Sequence, residues 1–323
     1  MPLLSGVIPT CYLSFQCFGH DAKRDFLAAQ SASGGREIMS TELRKLVSEV
    51  YDEVKGHLSR NSTDFWSQHS SPPSISWFLS STWNPLTFGL LDTKTGVLIG
   101  IPYFYNYNDP KDIQPSAFAL VRTRLFGNSR APAAKDSELE QNANPGWKVS
   151  NIDKNSEAGQ EYANSLILSD KAKRFSVARE LFYSDSYRVY VKMILISSCF
   201  VLSLTLSRFV VSRMGLLDAH LSQRLPFYTL FGATGAIAYQ ATSTSQENYY
   251  ISLADKRAVG LGDAYREGAF EYYTKTLQRN KALRDLFDDF KDLFDESGEL
   301  ILPMVASLFA KPLKERLSEL ETS

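Results

Sequence analysis

From Thr41 onward the apolar residues Leu43, Leu46, Val47, Val50, Tyr51, Val54 and Leu58 recur at three-and-four spacing, with Glu, Lys and Asp between them. That period places them on one stripe of a helix and predicts a face that enters a core. Between Ser70 and Asn108 the pattern changes to short runs rich in Ser, Thr, Trp, Phe and Tyr, interrupted by Pro72, Pro73 and Pro85. Ile75 to Leu79, Leu86 to Leu91 and Gly96 to Tyr105 read as strands, with Asp92 to Gly96 as the turn between the last two. Residues 128–163 are crowded with Asn, Ser, Asp and Glu and predict a polar, mobile surface loop. Ser169 opens a charged helix through Arg174, Phe175, Ala178, Arg179, Glu180 and Phe182. Helical patterns resume over Ser252–Gln278 and Asn280–Phe294, the second striped by Phe287, Phe290 and Phe294 and broken at Ser297-Gly298.

Between these amphipathic stretches lie two runs of another kind. Residues 193–207 carry no charge and are flanked by Lys192 and Arg208. A bilayer span needs roughly 20 residues. With Val189, Tyr190 and Phe209 to Val211 included, the run reaches roughly 34 Å as a helix, enough to cross, and Lys192 and Arg208 can extend their heads to the headgroups. Residues 225–246 are also uncharged. Tyr228 and Tyr239 suit its interfaces, and Gly232, Gly235, Ala236 and Ala238 make one surface small enough for close helix packing. The competing reading is two buried core helices of a soluble protein. Two uncharged helices in succession, joined by the basic loop Ser212–Arg224, favour a membrane hairpin. The loop region holds Arg208, Arg213 and Arg224, while the outer flanks hold Arg179, Arg188, Lys192, Lys256 and Arg257. That count leans toward both flanking parts lying on the inner side.

Composition narrows the function. A formal net charge of −1 argues against nucleic acid as a partner, which would call for a basic face. Cys11, Cys17 and Cys199 form no even framework, and His20, His57, His69 and His220 stand singly, so neither a disulfide scaffold nor a histidine metal site is indicated. Residues 1–19 are uncharged and Lys23 and Arg24 follow them, the reverse of a secretory signal. They read as an N-terminal hydrophobic segment, joined by a Ser/Gly/Ala linker to the helix at Thr41. No nucleotide-binding loop, nucleophile elbow or H-E-x-x-H helix occurs, so no catalytic residue and no cofactor is expected. The acidic stretch Asp288–Glu299 lacks calcium-loop spacing and reads as a solvated face. Lys171–Arg174 reads as a solvated helix start rather than a phospholipid contact.

The organisation that follows is α+β and mainly helical. It comprises an N-terminal hydrophobic segment and linker (1–40), a mixed α/β part (41–188), a two-helix transmembrane hairpin (189–246, with spans 189–211 and 225–246) and a helical C-terminal part (247–323). The parts before and after the hairpin form one mixed domain.

Several segments, in order, resemble the transmembrane protein 177 family. They are Gly96 to Pro102, Leu168 to Glu180, Leu253 to Arg257, Gly268 to Tyr273, Asn280 to Arg284 and Ser297 to Ile301, with the two apolar runs where that family has its hairpin. The likeness covers roughly Thr41 to Pro303, and residues 128–163 depart from it. The resemblance implies a non-enzymatic assembly factor, multi-pass in the mitochondrial inner membrane. Its implied partners are membrane lipid, newly made cytochrome c oxidase subunit 2 and that subunit's membrane assembly chaperone.

The order of a strand pair, a charged helix, a hairpin and a helix bearing Ala254-Asp255 is also similar to membrane zinc metallopeptidases, whose first helix carries H-E-x-x-H. Here that helix reads Arg179-Glu180-Leu181-Phe182-Tyr183. The glutamate is present, but Arg179 and Tyr183 stand where both imidazoles belong, and a guanidinium cannot bind zinc. The alternative function is therefore a membrane-bound hydrolase scaffold without activity. The plainer alternative is a packing face with ion pairs at Arg179 and Glu180.

Overall fold

The computed structural model describes residues 20–28, 37–58, 75–91, 95–113, 119–123, 129–130, 147–302, 307 and 309–322. The expectation of an N-terminal hydrophobic segment at 1–19 lies outside them. The chain divides into two units: residues 1–18, 186–251 and 302–311 form one, and residues 19–185, 252–301 and 312–323 form the other.

The larger, mixed unit begins with α1 (His20–Leu27) and α2 (Thr41–Val54). Ser40 caps α2, its hydroxyl accepting from the Leu43 amide at 3.1 Å, which satisfies one of the helix's orphan donors. Leu43, Leu46, Val47, Val50 and Val54 are all buried, the stripe that the spacing predicts. Burying each such side chain contributes roughly 1.5–3 kcal/mol.

A small mixed sheet follows, with β1 (Ile75–Ser80), β2 (Leu86–Gly89) and β3 (Val97–Pro102) in the order β1-β3-β2. β3 lies in the centre and every residue of it is buried. It runs parallel to β1, with Ile75 opposite Val97, and antiparallel to β2, with Gly89 opposite Val97. Gly100 on β3 leaves room for the Phe78 ring, which a Cβ there would meet at 2.6 Å. A second antiparallel sheet joins β4 (Ala119–Thr123), β5 (Ser129–Arg130) and β6 (Trp147–Asn151) in the order β5-β4-β6.

The helices α3 (Glu157–Leu166), α4 (Asp170–Ser184), α7 (Asp263–Leu286) and α8 (Leu313–Thr322) complete this unit; α5 (Arg188–Arg213) and α6 (Leu221–Val259) intervene in the chain. α4 is the central helix. Ala172, Phe175, Ala178 and Leu181 are fully enclosed, and α7 approaches so closely that a Cβ on Gly268 would lie 2.2 Å from the Lys171 carbonyl oxygen.

Two sequence expectations need correction here. Residues 128–163 were expected as one polar loop, yet they contain β6 and most of α3, whose Tyr162 and Leu166 are fully buried. Apolar residues four apart suffice to seat a three-turn helix, and the polar neighbours mask them. The C-terminal helices were expected to break near Arg279. Instead the break falls at Gly260–Gly262, where Gly262 takes φ +139°, and α7 runs unbroken to Leu286. Arg279 and Asn280 do not stop it because both are buried and bonded; Asn280 Nδ2 donates to the Gly298 carbonyl at 2.9 Å. The second predicted helix reduces to a short 3-10 turn, Asp288–Phe290, with Phe290 and Phe294 stacked at 6.0 Å.

The smaller unit is built on α5 and on α6 as far as Ile251. The connection between them turns at Gly215, φ +67°, and is closed by the Leu216 amide donating to Val211 O at 3.0 Å.

Candidate functional site

Two features carry information about function: the α5–α6 pair and an ionic cluster buried around α4. On α5, Ile194, Val201, Leu202, Leu206 and Phe209 are exposed, as are Leu225, Leu230 and Ile237 on α6. A water-soluble surface avoids so much contiguous aliphatic area. The hydroxyls on these helices turn inward on their own backbone. Ser197, Ser203, Thr205 and Ser207 on α5 bond carbonyls four residues back at 2.6–2.9 Å. On α6, Thr229, Thr234, Thr242 and Thr244 do the same at 2.8–3.1 Å. Polar groups satisfied within their own helix can face hydrocarbon without penalty.

Among the described residues α5 alone, at 26 residues, is long and apolar enough to cross a membrane. α6 is longer, but Thr229, Thr234, Gln240 and Thr242 dilute its apolar character. The small residues of α6 divide into two sets. A Cβ on Gly235 would lie 1.9 Å from Ser203 Oγ, so this glycine sets the distance between α5 and α6, whereas Gly232 has open space beside it and Ala236 is exposed. At the other end of the pair, Lys192 Nζ lies 3.5 Å from Glu247 Oε2, and Gln246 Nε2 donates to Arg188 O at 2.7 Å.

The second feature lies within the mixed unit. Arg179 and Glu180 form an ion pair at 2.7 Å with side chains only 11% and 8% exposed, and Arg179 Nε also donates to the same carboxylate oxygen at 3.1 Å. Thr87 on β2 donates to the other oxygen of Glu180 at 2.6 Å. The Arg179 guanidinium lies 4.9 Å from the centre of the Tyr272 ring. Asp255 is buried close by and accepts from the Tyr273 hydroxyl at 2.7 Å. Burial pushes the Asp255 carboxyl upward and Glu180 adds to that, against the opposing pull of Arg179, the Tyr273 hydrogen bond and Arg316. Burial works against the Arg179 charge, but Tyr272, Glu180, Tyr273 and Asp255 outweigh it and hold the guanidinium protonated.

This is the place in the fold where the peptidase comparison would put zinc, and the donors do not fit. A permanently charged guanidinium is paired with Glu180, and Tyr183 is a half-buried ring packed against the core. Among the described residues no group of three His, Cys, Asp or Glu side chains could hold a metal. The sequence singled out Arg179, Glu180 and Tyr183 but not their partners Thr87, Tyr272 and Tyr273. Those contacts arise between distant segments and leave no local spacing to read.

A long, exposed apolar helix and a separate folded mixed unit in one chain define a helical membrane protein. The model of the family described as transmembrane protein 177 matches residues 137–310, which include most of the stretch expected to depart from it. Transmembrane protein 177 of Homo sapiens is 31% identical over 151 residues, covering 46% of this chain and 49% of that protein. The Mus musculus protein is 27% identical over 225 residues, covering 69% and 63%, and the Xenopus laevis protein 23% over 225 residues, covering 69% and 64%. This chain belongs to the transmembrane protein 177 family. It spans about half to two thirds of the length of these relatives. No solved structure matches it.

Proposed function

We propose that this chain is a non-enzymatic assembly factor that holds a two-helix hairpin in the mitochondrial inner membrane. There it stabilises newly made cytochrome c oxidase subunit 2 together with that subunit's assembly chaperone. The observation that carries the membrane part is the exposed apolar surface of α5 and α6 with its hydroxyls bonded inward. The oxidase role follows from the family resemblance. In physical terms the hairpin offers a partner's membrane helices a surface on which Gly232 and Ala236 are open to close approach. Arg179 and Glu180 are engaged with one another, and Asp255 with the Tyr273 hydroxyl, inside the mixed unit.

Affinity purification of the tagged full chain from mitochondria tests this reading. Recovery of subunit 2 with a small membrane chaperone is expected, and recovery of neither counts against it.

The second reading, an inactive relative of membrane zinc metallopeptidases, is favoured by one observation: Arg179 pairs with Glu180 beside a carboxylate from α6. It predicts purified protein without bound zinc. Stoichiometric zinc that is lost on Glu180→Ala would instead mark an active hydrolase.

A further inference from the structure

The two ends of the α5–α6 pair treat charge in opposite ways. At one end Lys192 is matched by Glu247. At the other, Arg208 and Arg213 are exposed on the last turns of α5, and Arg224 stands on the first turn of α6. None of the three has a carboxylate partner among the described residues. Arg224 donates from Nη1 to the Leu217 carbonyl at 2.8 Å, and its Nε is buried without an acceptor. Asp218 is the one acidic residue between Lys192 and Glu247. The same turn exposes Phe209, Met214, Leu217 and Leu221, and the Arg213 guanidinium lies 5.4 Å from the centre of the Phe209 ring.

Unmatched guanidiniums interleaved with exposed large apolar side chains call for two surroundings at once. The apolar groups need hydrocarbon and the cations need anions. The headgroup layer of a bilayer supplies both within a few ångströms. Of the anions there, phosphate suits arginine best, because its oxygens accept two parallel N–H bonds from one guanidinium.

We propose that the α5–α6 turn is a docking surface for anionic phospholipid headgroups, whose phosphate oxygens accept from Arg208, Arg213 and Arg224. The inference rests on the hairpin spanning the membrane, and it adds a lipid preference at one end only.

The full chain is reconstituted into vesicles of phosphatidylcholine, with and without phosphatidylglycerol. Alkali-resistant flotation reports insertion, and the lipids that stay on the detergent-extracted protein report preference. Insertion into both is expected, with phosphatidylglycerol retained over phosphatidylcholine by about tenfold. That preference falls to parity in the triple variant Arg208→Gln, Arg213→Gln, Arg224→Gln and persists in Lys45→Gln, which changes an exposed charge of the mixed unit. Should the triple variant fail to insert, the three single variants carry the test, each lowering the preference in part. An unchanged preference in all of them, or none in the native chain, overturns the lipid surface. Displacement of the bound lipid by inorganic phosphate also overturns it, since the turn is then a free-anion site. Failure of the native chain to insert into either membrane overturns the spanning reading and this inference with it.

Discussion

Charged groups are buried inside the mixed unit and kept at the ends of the α5–α6 pair. The first unit encloses Glu180, Asp255, Lys173 and Arg279 and nearly encloses Arg179, whose side chain is 11% exposed, each held by partners. Lys173 Nζ donates to Asn108 Oδ1 at 2.6 Å, and Arg279 Nη1 donates to the Trp83 carbonyl at 2.9 Å. The second has no charged residue from 193 to 207 or from 225 to 246, and it turns its hydroxyls onto its own backbone. Solvent explains the contrast. A water-facing domain can keep an ionic cluster if every member is paired, because the exterior is polar and the interior is what must be satisfied. A lipid-facing helix has the opposite requirement. Its exterior must be apolar, and no external partner exists for a backbone or hydroxyl group.

The sharpest way to break this contrast is to remove the central cation. Arg179→Met leaves Glu180 and Asp255 buried without their guanidinium and is expected to cost about 3–5 kcal/mol. Trp66, Trp77, Trp83 and Trp147, the chain's tryptophans, all precede the hairpin, so fluorescence during denaturation of the full chain in detergent reads the mixed unit. A loss under about 1 kcal/mol, the scale of an exposed pair, would show the cluster to be surface-like. Combining Arg179→Met with Glu180→Met is expected to recover part of the loss.

The hairpin equivalent is steric. Gly235→Leu drives a side chain into Ser203 and is expected to cost roughly 1–3 kcal/mol, whereas Gly232→Leu meets open space. Hydrogen exchange of α5 and α6 amides in detergent separates them: faster in the first variant, unchanged in the second. Equal effects would remove Gly235 from the α5–α6 contact.

A smaller effect concerns Glu37, which lines a cavity of about 690 Å³ together with Met39, Val47, Tyr51, Trp77 and Leu79. Burial pushes its carboxyl up to about 7, against a weaker opposing hydrogen bond from Asn106. The folded chain therefore binds a proton that the unfolded chain has released. Stability from this group is complete below pH 4.5 and is lost as pH rises through about 7. Allowing for partial exposure, Glu37→Gln should gain about 1 kcal/mol at pH 8 and nothing at pH 4. Denaturation curves at the two pH values check it, and the opposite sign would mean that Glu37 is held ionised.

The smallest effect belongs to the Lys192–Glu247 pair, whose loss in Glu247→Gln should cost at most about 1 kcal/mol. A larger loss, read by the same hydrogen exchange, would place this pair away from water and headgroups.

Much of the fold was legible because local period reports burial directly. The α2 stripe, the three strands of the first sheet, the Ser169 cap of α4 and the uncharged core of α5 each follow from neighbours in sequence. Two kinds of feature were hidden. The first was structure in polar surroundings: α3 is seated by Tyr162 and Leu166, two residues that composition averages away. The second was anything made between distant segments. Glu180 stands out on its helix, yet its bond to Thr87 joins residues 93 positions apart. For the small residues of α6, composition marked Gly232 and Gly235 alike, and only geometry separates the one that touches α5 from the one that does not.

The most direct test of the membrane hairpin uses Cys199, which lies midway between Lys192 and Arg208 and is only half-buried by the chain itself. With Cys11 and Cys17 replaced by Ser, a membrane-impermeant maleimide is applied to intact membranes and again after detergent. A second thiol, Thr234→Cys on an exposed position of α6, is examined in the same way. Helices in lipid leave both thiols unlabelled until detergent dissolves the bilayer. Rapid labelling of either in intact membranes contradicts the hairpin.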